Sequence, residues 1–572
     1  MFSWMEVLGQ WKHGIVYPRW AASAHWGYGE ARFVFYPPAS WTLGAALGAI
    51  LPWKMVPGAY CWIVLTLAGA AMYRLARAWL PAGDALFAAV FYALNPYHLL
   101  IVYWRSAFAE LLAAPLLPLV LLCLLRLKRP LLGQHEPVER GDPRQSSRSG
   151  EGHGFSRATS SAKESALAAA GSHSPSSPGC FRPTLWLSLT LAAAWLTNAP
   201  AAVMIHYSLA GLAAVWAMHK RSWRPLVQIA LAIALGAGLA SFYLIPAVYE
   251  TRWVNISEVL SPGVRPQDNF LFTTIADPDH NRFNLLASTI ALTEIAVLAV
   301  AIWVSRRKRR VGTAVPDCPV AGSATGLETP WMLLSAWGVA STVLMLSLSN
   351  FLWQHLPKLR YVQLPFRWLL CLNAVLAMLL AMAAKRWPAR LLASTVLLTA
   401  VLVAGYRIQP PWWDTDEEIR EMSNALGDGT GYEGTDEYVP AGGDAYELNK
   451  SLPPVSDDAG MAIPNEMREW RQTEKHFVVH ASQAENLVLR LFNYPAWQVT
   501  INGQPAPTQT ADVTGQMMIP ILPGTNDVRI RFERTTDRVI GDAISGISLM
   551  LLAVAGIKTR PKRTGRAPVS HL

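Results

Sequence analysis

Eleven apolar runs alternate with short polar or basic loops along this chain. They cover 57–73, 84–103, 110–127, 183–198, 201–218, 226–247, 285–304, 331–349, 366–384, 390–405 and 539–557. A helix needs about 20 mainly apolar residues to cross a bilayer core, where every backbone polar group must be satisfied within the segment. The pattern therefore predicts a polytopic α-helical membrane protein with about eleven spans. The fourth and fifth runs meet at Asn198-Ala199-Pro200, which reads as a tight hairpin turn. Ala39–Leu51 is apolar but too short to span, and reads as a helix lying on or re-entering one face.

After the tenth run the period changes. Residues 406–470 are polar and rich in Gly, Asp and Glu, with a short helix expected at Asp416–Leu426. Residues 475–535 alternate with period two over His476–His480, Leu487–Phe492, Trp497–Ile501, Met517–Ile521 and Asp527–Phe532. Turns at Asn502-Gly503 and Pro523-Gly524 separate these strands, so a small β-sandwich is expected next to the last span. The chain then divides into a loop with a surface helix (1–56), a helical domain (57–405), a soluble domain (406–538), a last span (539–557) and a basic tail (558–572). Within the helical domain, the Ser-, Gly-, Pro- and Arg-rich stretch 128–182 reads as a disordered loop.

Charge sets the orientation. Lys220-Arg221, Arg306 to Arg310, Lys385-Arg386 and the tail carry clustered Lys and Arg, and such loops stay cytoplasmic. Loops 248–284 and 406–538 then fall outside, and the C-terminus inside. The net charge of +10 is concentrated in those basic loops and the tail, whereas 406–538 holds 21 Asp and Glu against 11 Lys and Arg. That asymmetry argues for membrane topology rather than nucleic-acid binding. Hydrophobic residues make up 52% of the chain and charged residues 15%, against roughly 25% charged in soluble domains. The five cysteines, Cys61, Cys123, Cys180, Cys318 and Cys371, avoid the soluble domain and show no zinc spacing. Met1–Trp20 carries Glu6, Lys12, His13 and Arg19 and has no signal-peptide core.

The densest chemistry lies before the first span. His13, Arg19, Tyr28, Glu30, Arg32 and Tyr36 are interleaved with Gly, Pro and further aromatics, without helical period. Aromatic faces suit sugar stacking, and Arg or His suits a phosphate. The plainer alternative is an ordered interfacial loop anchored by its aromatics. Asp277-Pro278-Asp279-His280 has the residue types of a cation site, but also those of a solvated turn.

Several stretches resemble one another's counterparts in a single family. Phe2–Trp53, Arg105-Ser106-Ala107-Phe108-Ala109-Glu110, Val362-Gln363-Leu364-Pro365-Phe366-Arg367-Trp368, Gly434 to Pro440, and Asn493 to Trp497 with Asn502-Gly503 are similar, in order, to bacterial membrane proteins of the GT-C glycosyltransferase superfamily. The nearest groups are the YfhO-like proteins and those labelled 6-pyruvoyl-tetrahydropterin synthase-related. The resemblance implies a multi-pass protein of the bacterial inner membrane that takes a sugar from a polyprenyl-phosphate donor on the outer face, for an envelope acceptor. It admits a divalent cation as the one cofactor. It also implies an acidic/His motif and a span ahead of Phe2, which this sequence lacks; an upstream segment, or lost activity, is expected on that ground.

Under the resemblance, Glu30 and Glu110 are the candidate catalytic carboxylates. Arg105, Gln363 and Arg367, with His13, Arg19, Tyr28, Arg32 and Tyr36, are the candidate substrate contacts, and Arg367 is the preferred phosphate ligand. Each has a structural alternative: an Arg105–Glu110 pair holding a helix entry, a plain loop carboxylate at Glu30, a snorkelling Arg367 beside Trp368. The rival functions are a transporter or lipid-handling protein, with Asn198 and His206 as its few mid-span polar groups, and an envelope scaffold.

Overall fold

The computed structural model describes residues 1–127, 181–312, 328–407 and 414–558. The stretch expected to be disordered (128–182) and the basic tail (558–572) lie almost wholly outside them. The chain is mainly helical, with a β region after residue 454. Among the described residues seven helices are long and apolar enough to cross a membrane: Trp53–Ala76, Ala82–Trp104, Phe108–Arg126, Ala199–His219, Pro278–Arg307, Pro365–Ala383 and Thr536–Ile557.

Two of the expected spans are bent instead of straight. Arg224–Leu239 and Ser241–Trp253 meet at 78°. Ser241 Oγ donates back to the Ala237 carbonyl (3.0 Å), and the Phe242 N–H leaves the helical ladder for Ser545 Oγ (2.8 Å). Gly and Ser at such a point let side chains take over freed backbone groups. Thr329–Leu344 and Ser347–His355 meet at 92°. There Trp353 Nε1 donates to the Leu344 carbonyl (3.1 Å) and the Leu271 N–H to that of Met345 (3.1 Å). The 183–198 run forms a helix that is apolar but short, and it ends where Asn198 caps the next helix by accepting from the Ala201 N–H (2.9 Å).

The β region has nine strands: β1 (Val455–Ser456), β2 (Asn465–Trp470), β3 (Glu474–Ala481), β4 (Glu485–Phe492), β5 (Trp497–Ile501), β6 (Gln504–Pro505), β7 (Gln509–Thr510), β8 (Gln516–Ile521) and β9 (Gly524–Phe532). They form sheets of order β1-β4-β8-β7 and β2-β3-β9-β5-β6, with every neighbouring pair antiparallel. Phe477, Val479, Leu487, Leu489, Val528 and Ile530 supply one buried core between them. The helix ahead of the strands, Asp416–Gly427, starts with a capping box between Thr415 and Glu418.

The first 56 residues are not a free loop. Residues Phe2–Lys12 are helical and pack on the helix Pro38–Gly48, which in turn packs on Val56–Ala76. Gly44 makes room for the Trp4 ring, since a Cβ there would come within 2.2 Å of it. Trp4, Val7, Phe33 and Trp41 join the helical core, while Trp20, Tyr28 and Val34 join the β core. This segment is therefore a wedge between the two. A second tie is Glu250, fully buried, which takes two hydrogen bonds from Arg538 (2.8 and 2.9 Å) and one from the Tyr494 hydroxyl. It joins the bend helix Ser241–Tyr249, the β region and the last helix.

Lys475 in β3 is buried between Trp470 and Trp497, with the Arg471 carbonyl as its acceptor. Burial pushes its ammonium down to about 7. The folded state thus binds fewer protons than the unfolded one between about pH 7 and the ordinary lysine value. The burial penalty is full below that window and fades as pH rises through it. Lys475→Met is expected to stabilise the full chain by about 1–3 kcal/mol at pH 7 and by less at pH 10, read from thermal melts at both pH values.

Candidate functional site at the junction of bundle and β region

Ala21 and Glu30 exchange backbone hydrogen bonds (2.8 and 3.0 Å) and close a hairpin over residues 21–30. Gly29 at its base has φ of 75° and faces the Trp20 indole, where a Cβ would sit 2.2 Å from Nε1, so only glycine fits. The hairpin turns the Glu30 carboxylate inward. It is fully buried, accepts from Arg32 Nε and from the Thr435 N–H (3.0 Å), and lies 2.9 Å from His25 Nε2. Burial alone pushes this carboxyl up, but Arg32, His25 and the Thr435 N–H together outweigh it and hold the group below its ordinary value. Glu30 is thus held ionised, with both of its oxygens engaged.

Arg32 faces a cavity of about 400 Å³. Its guanidinium also donates to Ser3 Oγ (3.0 Å) and sits 5.6 Å from the Tyr432 ring centre. Trp4, Tyr36, Trp41, Phe108 and Tyr438 give aromatic walls, and Glu433 and Glu437 bring carboxylates. Residues 432–438 reach the cavity because Tyr432 pairs with the hairpin: its N–H donates to the Ser23 carbonyl (2.9 Å) and the Trp26 N–H donates to its own (3.0 Å). Gly434 lies against the His25 ring, with no space for a side chain. Beneath Tyr432, Glu6 accepts from the Tyr432 hydroxyl (2.8 Å) and the Ser23 N–H (3.0 Å), and burial pushes its carboxyl up to about 7.

Glu437 is half-buried on the cavity wall. Burial raises its carboxyl above the ordinary value, and the nearby charges of Glu30 and Asp436 add to this. A carboxylate so raised is a stronger base than an ordinary one.

Glu110 is placed differently. It is buried and accepts from Tyr97 (2.5 Å), Arg105 (2.6 Å) and Arg367 (3.1 Å). Arg367 also donates to the Val362 carbonyl (2.5 Å) and to Gln363 Oε1 (3.2 Å), and Gln363 Nε2 donates to the Val259 carbonyl (2.7 Å). Four candidates, Arg105, Glu110, Gln363 and Arg367, therefore form one buried network beside the cavity, whose wall includes Ser106 and Ala109. None of the four lines the cavity itself, and both Glu110 carboxylate oxygens are hydrogen-bonded within the network.

The structure brings Arg32 and Tyr36 to the cavity, with Glu30 behind them. It does not bring His13, Arg19 or Tyr28 there. His13 ends the first helix, with Nδ1 2.9 Å from the Gly9 carbonyl. Arg19 donates to the Phe242 carbonyl (3.1 Å) and lies over the Tyr17 ring. Tyr28 donates to the Asn449 carbonyl (2.8 Å) and packs on Phe492. Glu6, Tyr432 and Glu437 were not among the sequence candidates; Glu6 lies in the Phe2–Trp53 stretch and Glu437 in the Gly434 to Pro440 stretch, while Tyr432 lies in neither.

Among the described residues no group of three or more His, Cys, Asp and Glu side chains is arranged to hold a metal ion. In Asp277-Pro278-Asp279-His280 the Asp277 carboxylate accepts from the Asp279 and His280 N–H groups (2.9 and 3.3 Å), which makes it a helix cap. The fold and site thus define a helical bundle of span-length apolar helices, joined to a two-sheet β region over a polar, aromatic-lined cavity. No family model, no curated protein and no solved structure matches the chain.

Proposed function

We propose that the chain is a membrane-embedded, GT-C-like glycosyltransferase that moves a sugar from a polyprenyl-phosphate donor to an envelope acceptor. The observation that carries this reading is the cavity at the bundle end: aromatic walls, one aimed guanidinium and one carboxyl of raised pKa in a space of about 400 Å³. That volume lies within the range of small-ligand sites. Span-length apolar helices directly below would bring a lipid-borne donor to its rim.

In this reading Glu437 takes the proton of the acceptor hydroxyl as its oxygen bonds to the anomeric carbon. The bond from that carbon to the phosphate oxygen breaks, and its electron pair leaves with the phosphate. Arg32, held by Glu30, meets the charge gained by the leaving group. The test is the purified full chain in vesicles with a radiolabelled polyprenyl-phosphate sugar and an envelope extract as acceptor. Label moving into the acceptor supports a transferase. Binding without turnover favours a carrier, and absence of binding removes the lipid-donor reading.

One observation favours the second reading, a lipid-handling or transport protein. Glu294, in the middle of the helix Pro278–Arg307, is buried beside Asn95 and pairs with no basic side chain among the described residues. Asn95 and His98 line an apolar cavity of about 700 Å³ on the other side. An ionisable group inside a span is costly and commonly serves passage or proton transfer. Of the polar groups expected for that role, Asn198 caps a helix, and His206 Nδ1 lies 2.7 Å from the Ala202 carbonyl while its Nε2 is buried without a hydrogen-bond partner among the described residues.

A further inference from the structure

A second concave site opens on the same end of the bundle as the transferase cavity. The bonds from Glu110 through Arg367 and Gln363 to the Val259 carbonyl lead to it, since the adjoining Leu260 is on its wall. Its volume is about 310 Å³. Trp353, 1% exposed, forms the apolar floor, and Arg265, Gln267, Asn350, Gln354 and Arg360 supply the polar wall. Among the described residues no carboxylate lines it.

Three features describe what the pocket would bind. Arg360 has no carboxylate partner among the described residues; its one side-chain hydrogen bond is to the Tyr361 hydroxyl at 3.3 Å. Arg265 spends Nε on Asp268 Oδ2 (2.8 Å), and neither of its terminal nitrogens has a partner among the described side-chain bonds. Asn350 Oδ1 is a buried acceptor without a partner among the described residues. Two guanidiniums ask for an oxyanion, and an unmet acceptor asks for a hydroxyl donor. The Gln267 and Gln354 amides can serve either. Beside the lining residue Asn350 in the chain, Leu348 is 70% and Phe351 65% exposed, both large apolar side chains.

We propose that this pocket binds the headgroup of an anionic lipid that carries both a phosphodiester and free hydroxyls, a phosphoglycerol headgroup being the simplest case. Arg360 and Arg265 hold the phosphate oxygens, Asn350 Oδ1 accepts from a headgroup hydroxyl, and the acyl chains run past Leu348 and Phe351. The acyl part rests on the membrane reading above; the headgroup part does not. Such a lipid would be bound at its own site and would not be the sugar donor.

The experiment uses the full chain in a neutral detergent. Binding of phosphatidylglycerol, phosphatidylethanolamine and soluble glycerol 3-phosphate is measured by native mass spectrometry and by thermal shift. The variants are Arg360→Gln and Asn350→Leu. Expected is retention of phosphatidylglycerol over phosphatidylethanolamine, weakened about ten-fold or more by Arg360→Gln and also weakened by Asn350→Leu. Arg360 is exposed, so its variant should melt with the parent. Equal binding of glycerol 3-phosphate, with the same sensitivity to both variants, would overturn the lipid source and leave a soluble phosphate ester. A lack of preference among the three, or a preference that both variants leave intact, would overturn the site. Neither result depends on whether sugar transfer occurs.

Discussion

Glu110→Ala is expected to destabilise the full chain by about 3–5 kcal/mol, because it leaves two nearly buried guanidiniums without their anion. Arg105 and Arg367 are 15% and 9% exposed and converge on one Glu110 oxygen, while Tyr97 donates to the other. The cost lies in the orphaned charges more than in the lost pair. A matched double change, Glu110→Leu with Arg367→Met, should therefore recover part of the loss. Glu110→Gln keeps an acceptor for Tyr97 and should cost less than alanine. Thermal unfolding in detergent reads all three. A Glu110→Ala protein that melts with the parent but has lost sugar transfer would return Glu110 to the role of catalytic base.

The second large effect concerns turnover. Arg32→Ala should lower sugar transfer by about 10²–10³-fold, the usual cost of removing a donor aimed at developing charge. Glu437→Gln should lower it by about 10²–10⁴-fold, and Glu437→Asp by less. As a base, Glu437 acts only when deprotonated. Because burial raises its carboxyl, the rising limb of the pH–rate profile should lie above that of an ordinary carboxylate and disappear in Glu437→Gln. Glu30→Gln should act through Arg32 and on Glu437: transfer falls, and the pH limb moves toward that of an ordinary carboxylate because the Glu30 charge no longer helps raise Glu437. Full activity in both Arg32→Ala and Glu437→Gln would remove the chemistry assigned to this cavity.

Much of the secondary structure could be read from the chain because it is local. Alternation marked β3, β4, β5, β8 and β9, and Thr415 with Glu418 marked the helix at 416. β2 went unread because the sequence Asn465–Trp470 lies on an edge, mostly exposed, and has no apolar face to alternate. The bends at 240 and 345 went unread because hydropathy averages over them, while their causes are single Ser and Trp side chains that satisfy the backbone. Glu294 was lost in the same averaging. The site needed tertiary knowledge. Glu30 and Arg32 stood out in a polar, aromatic stretch, yet Thr435 and Glu437 reach them from some 400 residues away, a pairing no local period encodes. Likewise Arg105, Glu110 and Arg367 drew attention as charges at span ends, but only their mutual contact tells holding from chemistry.

The account rests on apolar helices crossing a membrane with the cavity and the β region together on the non-cytoplasmic side. Side-specific thiol labelling tests this directly. In a chain whose five cysteines are replaced, single cysteines are placed at Tyr446, 80% exposed beside the cavity segment, and at Arg306, at the far end of the helix Pro278–Arg307. The account predicts that an impermeant maleimide labels Tyr446→Cys in intact spheroplasts and Arg306→Cys only after permeabilisation. The reverse pattern, or equal labelling of both without permeabilisation, would contradict it.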